Sequence, residues 1–200
     1  MINIKVNGIV ALKQLKQLDG LDIEFAGFDF HKPSPWYIGD KIAAEELRAA
    51  DFDIRKVGVF VDADFEKIRK AIDGYGLDAV QLQGEESPYL CEQLSDETEV
   101  IKAFNISNSK VSIEELIEDY DEVCDYYLFH AAKQADWKQL DKARIEKPFF
   151  LSGGIGPGDF KKLKSFSHPD FFGVDINEQF EKSIGVKDMI TILQFKQGLK

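Results

Sequence analysis

Cysteine, proline and positive charge are all scarce in this sequence, and each shortage removes a class of protein. Two cysteines in 200 residues, Cys91 and Cys124, cannot build a disulfide framework. Both fall in helix-like or helix-to-strand contexts, where buried reduced thiols are expected. Neither they nor the three histidines, His31, His130 and His168, show a zinc-type spacing or an HExxH pattern, so no metal and no cofactor is expected. The 25 basic residues against 36 acidic ones leave a formal net charge of -11. That balance opposes the counterion release that drives nucleic-acid binding and opposes docking on anionic lipid. No apolar run reaches the ~18 residues of a membrane span, and the opening MINIKVNGIV lacks the basic segment, long apolar core and cleavage site of a secretory signal. A cytoplasmic protein is expected, with a small molecule or another protein as partner, no nucleic acid and no membrane.

What remains is a chain with 44% hydrophobic residues, six prolines and no Pro- or Ser-rich linker, which reads as one domain over residues 1–200. Eight short β-branched or aromatic runs recur along it: 2–6, 23–28, 56–61, 78–83, 99–104, 125–130, 148–153 and 171–176. Between them lie segments such as FEKIRKAIDGYG, where Phe65, Ile68, Ala71, Ile72 and Tyr75 return at three- and four-residue steps, the period of a helix with one apolar face. Ser87 and Ser112 stand before such segments as helix caps, the second with Glu115 in a capping-box spacing. The weakest helical segment is the sixth, ADWKQLDKARIE, which has few apolar positions.

Eight strand and helix units at roughly 20–30 residues each fit a closed (β/α)8 barrel of minimal size, whereas an open flavodoxin-like sheet would need about five. The runs are continuously apolar, as parallel strands covered on both faces require. Barrel chemistry sits at the carboxyl ends of the strands. The residues to question are therefore Asn7, Asp29, Asp62, Gln83, Asn105, His130, Gly153 with Gly154, and Asp175 with Asn177.

Those ends carry a resemblance. KVNGI, GFDFHKPSPWYI, KVGVFVDADFEKI, GLDAVQLQGEES, VIKAFNIS, FLSGGIGPGDF and GVDINEQFEKSIGVKD are similar, nearly end to end, to phosphoribosylanthranilate isomerase, a small barrel enzyme of tryptophan biosynthesis. The resemblance implies an Amadori rearrangement of N-(5-phosphoribosyl)anthranilate: an acid protonates the ring oxygen, the ring opens to a Schiff base, and a base removes the C2 proton. The family's base is a cysteine after strand one, and here KVNG places Asn7 there. Its acid is an aspartate closing strand six, and here YLFHA places His130, followed by the short AAKQADW in place of a long glycine-rich loop. An arginine expected to reach the anthranilate end is Trp36, and a histidine of the QLHG pattern is Gln83. Asp175 and the glycines Gly153 and Gly154 are kept, which implies a phosphate cradle and a small phosphorylated or anionic ligand. The small Ser-Gly pair of the eighth loop is Glu178-Gln179. A carboxylate ~5 Å from a phosphate costs about 3 kcal/mol per phosphate charge at an effective dielectric near 20.

Three functions stay open on these residues. A divergent barrel has weak or absent isomerase activity, since a general acid or base contributes about 10²- to 10⁴-fold each. A working isomerase would use His130 as acid and Asp29 or Glu85 as recruited base. A non-catalytic interaction module would use the barrel as scaffold, as a monomer or homodimer. Each residue also has a plainer description. Asn7 caps its loop, His130 is a satisfied histidine, Trp36 and Gln83 plug the mouth, Gly153 and Gly154 make a tight turn, and Glu85 and Glu86 decorate a helix N-terminus.

Overall fold

The eight apolar runs become eight parallel strands in the computed structural model, which describes residues 2–107, 109–132 and 134–200. They are β1 (Asn3–Val6), β2 (Phe25–Asp29), β3 (Arg55–Phe60), β4 (Ala79–Leu82), β5 (Glu99–Asn105), β6 (Tyr126–His130), β7 (Phe149–Ser152) and β8 (Phe171–Ile176). Each pairs with its neighbours in chain order, and β8 closes on β1. The expected (β/α)8 barrel is therefore the fold.

Helices cover the outside: α1 (Leu12–Asp19), α2 (Ala44–Ala49), α3 (Phe65–Tyr75), α4 (Pro88–Ser95), α5 (Ile113–Ile117), α6 (Phe160–Ser165) and α7 (Met189–Leu199). In α3 the apolar stripe buries Ile68 and Ala71, Asp64 caps the first turn by accepting from Lys67 N, and Gly76 ends it in the left-handed conformation. Ser87 and Ser112 cap α4 and α5 as expected, accepting from Leu90 N and Glu115 N.

Two expectations need correction. The segment between β6 and β7 is not an α-helix but a 3₁₀ stretch, Gln134–Gln139, because too few apolar side chains repeat there to bury a longer face. Lys133, inside the shortened AAKQADW connection, lies outside the described residues. The eighth loop also holds an unexpected ribbon, β9 (Glu181–Ser183) paired antiparallel with β10 (Val186–Lys187). Among the described residues, no helix is long and apolar enough to cross a membrane.

The core divides in two, as alternating side chains on a closed sheet require. The larger cluster lies between strands and helices. The smaller fills the barrel's interior with Phe25, Val57, Ala79, Ile101, Ala103, Leu128 and Phe150. Its amino end is closed by aromatic rings, with centroids 5.4 Å apart for Phe25 and Phe150 and 5.2 Å for Phe150 and Phe172. The polar interior positions collect at the other end.

Candidate functional site

The carboxyl ends of the strands enclose a cavity of about 680 Å³. Of the residues named from the sequence, Asn7, Trp36, Gln83, His130, Gly153, Gly154 and Asp175 line it. Asn105, Asn177 and Glu178 join them. Asp29, Asp62 and Glu85 do not. The Asp29 carboxylate turns back to accept from His31 N at 2.8 Å, and Asp62 accepts from Glu85 N at 2.8 Å, with Asp62 at a positive φ of 50°.

Strand register sets one row of polar side chains across the floor. Lys5 on β1 stands beside Asp175 on β8, Asp175 beside Ser152 on β7, Ser152 beside His130 on β6, and His130 beside Asn105 on β5. Lys5 Nζ donates to Asp175 Oδ1 at 2.8 Å, with both side chains buried. Ser152 Oγ donates to Asp175 Oδ2 at 3.3 Å and lies 3.5 Å from His130 Nδ1. The Asp175 carboxylate is thus engaged by an ammonium and a hydroxyl, an arrangement that holds it in place.

A second network fixes the rim above β8. Lys187 Nζ donates to Glu181 Oε1 at 2.6 Å and to Asn177 Oδ1 at 2.5 Å, and Trp36 Nε1 donates to the same Glu181 oxygen at 2.9 Å. Burial pushes the Lys187 ammonium below its ordinary pKa, against the pull of Glu181. Trp36 is therefore held at the edge of an open cavity rather than filling it. It packs where only glycine fits: a Cβ on Gly8 would sit 2.8 Å from Trp36 Cδ1 and 2.7 Å from Asn177 Oδ1, and Gly8 has a φ of 72°.

Asn7 does not act as the expected loop cap through its carbonyl, because Oδ1 is buried without a hydrogen-bond partner. It lies in the space a Gly27 Cβ would occupy, 2.2 Å from that position. Gln83 accepts from Gln81 Nε2 at 2.9 Å, which ties the strand-four position to a neighbouring amide. Gly153 and Gly154 both have left-handed backbones, with φ of 85° and 60°. At Gly153 a Cβ would meet Ala131 O at 2.3 Å, so the tight turn and the close packing of loops six and seven both need glycine there.

Glu86 is the largest departure from expectation. It is no helix decoration: only 4% exposed, it pairs with Lys102 of β5 at 2.9 Å and accepts from Asp62 N and Gly84 N. Lys5, Ser152, Glu181 and Lys187 are further residues that the sequence reading passed over. For Lys5 and Lys102 a signal existed, since a lysine inside a continuous apolar strand has to find a partner when buried.

Chemically, the amide of Asn7 cannot take a proton from carbon, whereas the imidazole of His130 can exchange one. Among the described lining residues the carboxylates are Asp175, committed to Lys5, and Glu178 on the exposed rim. No cluster of three or more His, Cys, Asp or Glu among the described residues could hold a metal ion.

Residues 4–198 match the family model described as N-(5'phosphoribosyl)anthranilate (PRA) isomerase. A protein named N-(5'-phosphoribosyl)anthranilate isomerase from Parabacteroides distasonis is 35% identical over 98% of this chain and 92% of its own length. The crystal structure of phosphoribosyl anthranilate isomerase from Thermotoga maritima superposes with a TM-score of 0.85 at 28% identity, over 100% of this chain and 98% of that one. A phosphoribosyl anthranilate isomerase in complex with reduced 1-(o-carboxyphenylamino)-1-deoxyribulose 5-phosphate matches over the same shares with a TM-score of 0.84 at 28% identity.

Proposed function

This chain belongs to the N-(5'-phosphoribosyl)anthranilate isomerase family, and from that premise we propose that it is a divergent member. In this reading it keeps the family's cavity for a small phosphorylated ligand but performs the Amadori rearrangement of tryptophan biosynthesis weakly or not at all. One observation carries the reading: Asn7 and His130 line the cavity, and they stand where the resemblance implies a basic thiolate and a carboxylic acid. Losing one acid or base costs about 10²- to 10⁴-fold, so exchanging both removes about 10⁴-fold or more. A rescue by recruited groups finds little support, because neither Asp29 nor Glu85 lines the cavity and Asp175 is neutralised by Lys5. Gly153, Gly154 and Asp175 are the proposed remnants of ligand binding, with Trp36 and Gln83 where the resemblance implies an arginine and a histidine.

The test is turnover, followed as loss of anthranilate fluorescence from freshly generated substrate. The expected kcat/KM lies about 10⁴-fold or more below that of the Parabacteroides distasonis relative assayed in parallel. Turnover within tenfold of that relative would overturn the proposal and restore a working isomerase.

A further inference from the structure

One layer below Gln83, β4 carries an amide where an apolar side chain would suit the fold better. Gln81 shares the interior side of that strand with Ala79 and is only 1% exposed. Its register partners on the flanking strands are Val59 and Ile101, both buried and apolar. Gln81 Nε2 donates to Gln83 Oε1 at 2.9 Å, while Gln81 Oε1 is buried without a hydrogen-bond partner. That oxygen loses its hydration with nothing in return, so the residue costs stability where a methionine of similar length would not.

The buried amide orients its neighbour. Gln83 is exposed at the cavity, and with its Oε1 taken up by Gln81 it keeps Nε2, the donor, for whatever enters. Turning the Gln81 amide over would set its oxygen against Gln83 and leave both of its N–H groups without acceptors rather than one. A buried N–H goes unpaired less readily than a carbonyl oxygen. Asn7 is arranged in the same way: its Oδ1 is buried without a partner beside Gly27, so the atom of that amide left to face the cavity is Nδ2. We infer that Gln81 is a positioning residue that fixes Gln83 as a hydrogen-bond donor, so that the cavity receives an acceptor oxygen of a sugar phosphate, carbonyl or hydroxyl, at the end of strand four as it does beside Asn7 at strand one. The sugar phosphate rests on the reading under Proposed function. The donor orientation rests on the two amides.

Isothermal titration of the full chain with D-ribulose 5-phosphate, and with inorganic phosphate as a probe that has no sugar, separates the two when urea unfolding is measured alongside. Gln81→Met is expected to weaken D-ribulose 5-phosphate about fivefold, the usual size of one neutral hydrogen bond, to change inorganic phosphate by less than about twofold, and to keep or raise the urea midpoint. Gln83→Met is expected to cost about the same fivefold, and adding Gln81→Met to it should cost nothing further, because the amide being positioned is gone. A lowered urea midpoint for Gln81→Met, an unchanged affinity for D-ribulose 5-phosphate, an equal loss for inorganic phosphate, or losses that add in the double variant would each overturn the positioning role and leave the phosphorylated ligand standing. Binding of inorganic phosphate without D-ribulose 5-phosphate would do the same. Absence of binding of either probe by the unaltered chain overturns the phosphorylated ligand and the inference built on it.

Discussion

Replacing Lys102 by methionine removes one charge from the buried pair that joins the third, fourth and fifth strand ends. The Lys102 and Glu86 side chains are 3% and 1% exposed and meet at 2.9 Å. Lys102 Nζ also donates to Gly84 O at 2.7 Å and to Leu82 O at 3.4 Å, and it lies 5.9 Å from the Phe104 ring centroid. On the other side Glu86 Oε1 accepts from Asp62 N at 2.9 Å and Gly84 N at 3.2 Å. Lys102→Met strands a carboxylate away from water with two N–H donors as its only partners, and breaking a buried pair in this way costs about 3–5 kcal/mol. Glu86→Gln keeps the shape and an acceptor for those N–H groups, and it leaves the ammonium facing carbonyl oxygens. Its cost is the smaller one, about 1–3 kcal/mol, the worth of a hydrogen bond to a charged group. With both changes made no charge is left behind, so the double variant should lose less than the sum of the singles by about 2 kcal/mol or more, within the range for residues in direct contact. Urea unfolding followed by far-ultraviolet circular dichroism measures all four corners of this cycle. A Lys102→Met protein within about 1 kcal/mol of the parent, or an additive cycle, would refute the reasoning.

Three further outcomes follow from the same geometry. Gly153→Ala should lose about 2–4 kcal/mol, from left-handed strain and from a Cβ 2.3 Å from Ala131 O, whereas Gly158→Ala, with nothing within 4 Å, should stay within about 1 kcal/mol of the parent in the same urea assay. Tyr120 donates to Glu86 O at 2.9 Å, and burial pushes its phenol up to about 12 from an ordinary value of about 10. The folded state thus holds that proton more tightly than the unfolded chain. Its contribution is complete below pH ~10 and is lost as the pH rises towards 12, so urea midpoints of Tyr120→Phe should fall less steeply in that window than those of the parent. Asn7→Cys with His130→Asp should fold normally yet remain about 10²-fold or more below the Parabacteroides distasonis relative in turnover, because Trp36 and Glu178 still disfavour the family substrate. Near-complete rescue by this pair would show that Trp36 and Glu178 do not select against that substrate.

The barrel was legible because eight apolar runs had to be buried on both faces, and strand limits such as 171–176 match the structure residue for residue. The sixth helix and the β9–β10 ribbon were harder to read for a physical reason. Both are short and polar, and local hydrogen bonds together with the turn at Gly185, φ 75°, decide their conformation more than any apolar period does. Glu85 and Glu86 show the limit most clearly. Adjacent, chemically identical and both at the start of a helix, they part company in space: Glu85 is exposed, while Glu86 is buried against Lys102. Only the path of the chain after β4 distinguishes them. The site positions were legible through the resemblance, but the Lys5–Asp175–Ser152–His130 row depends on strand register, which periodicity does not supply.

That row shows how strand-end side chains at the cavity can vary without cost to the fold. Asn7 is half-buried, Gln83 and His130 are exposed, and none of the three belongs to either apolar cluster. Substitutions at exposed positions such as Gln83 and His130 ordinarily shift stability by about 0.5 kcal/mol or less. The buried ion pairs Lys5–Asp175, Lys102–Glu86 and Lys187–Glu181 lie below or beside these positions and tie strand ends and loops together. An unpaired charge at any of those sites carries a penalty several times larger, so each pair resists single changes that the strand-end residues tolerate. Chemistry and stability are thus carried by different residues only a few ångströms apart: His130 sits 3.5 Å from Ser152, and Ser152 sits 3.3 Å from the carboxylate that Lys5 holds. The fold places no requirement on a proton donor at position 130, whereas it requires a cation at position 5 for as long as Asp175 is present.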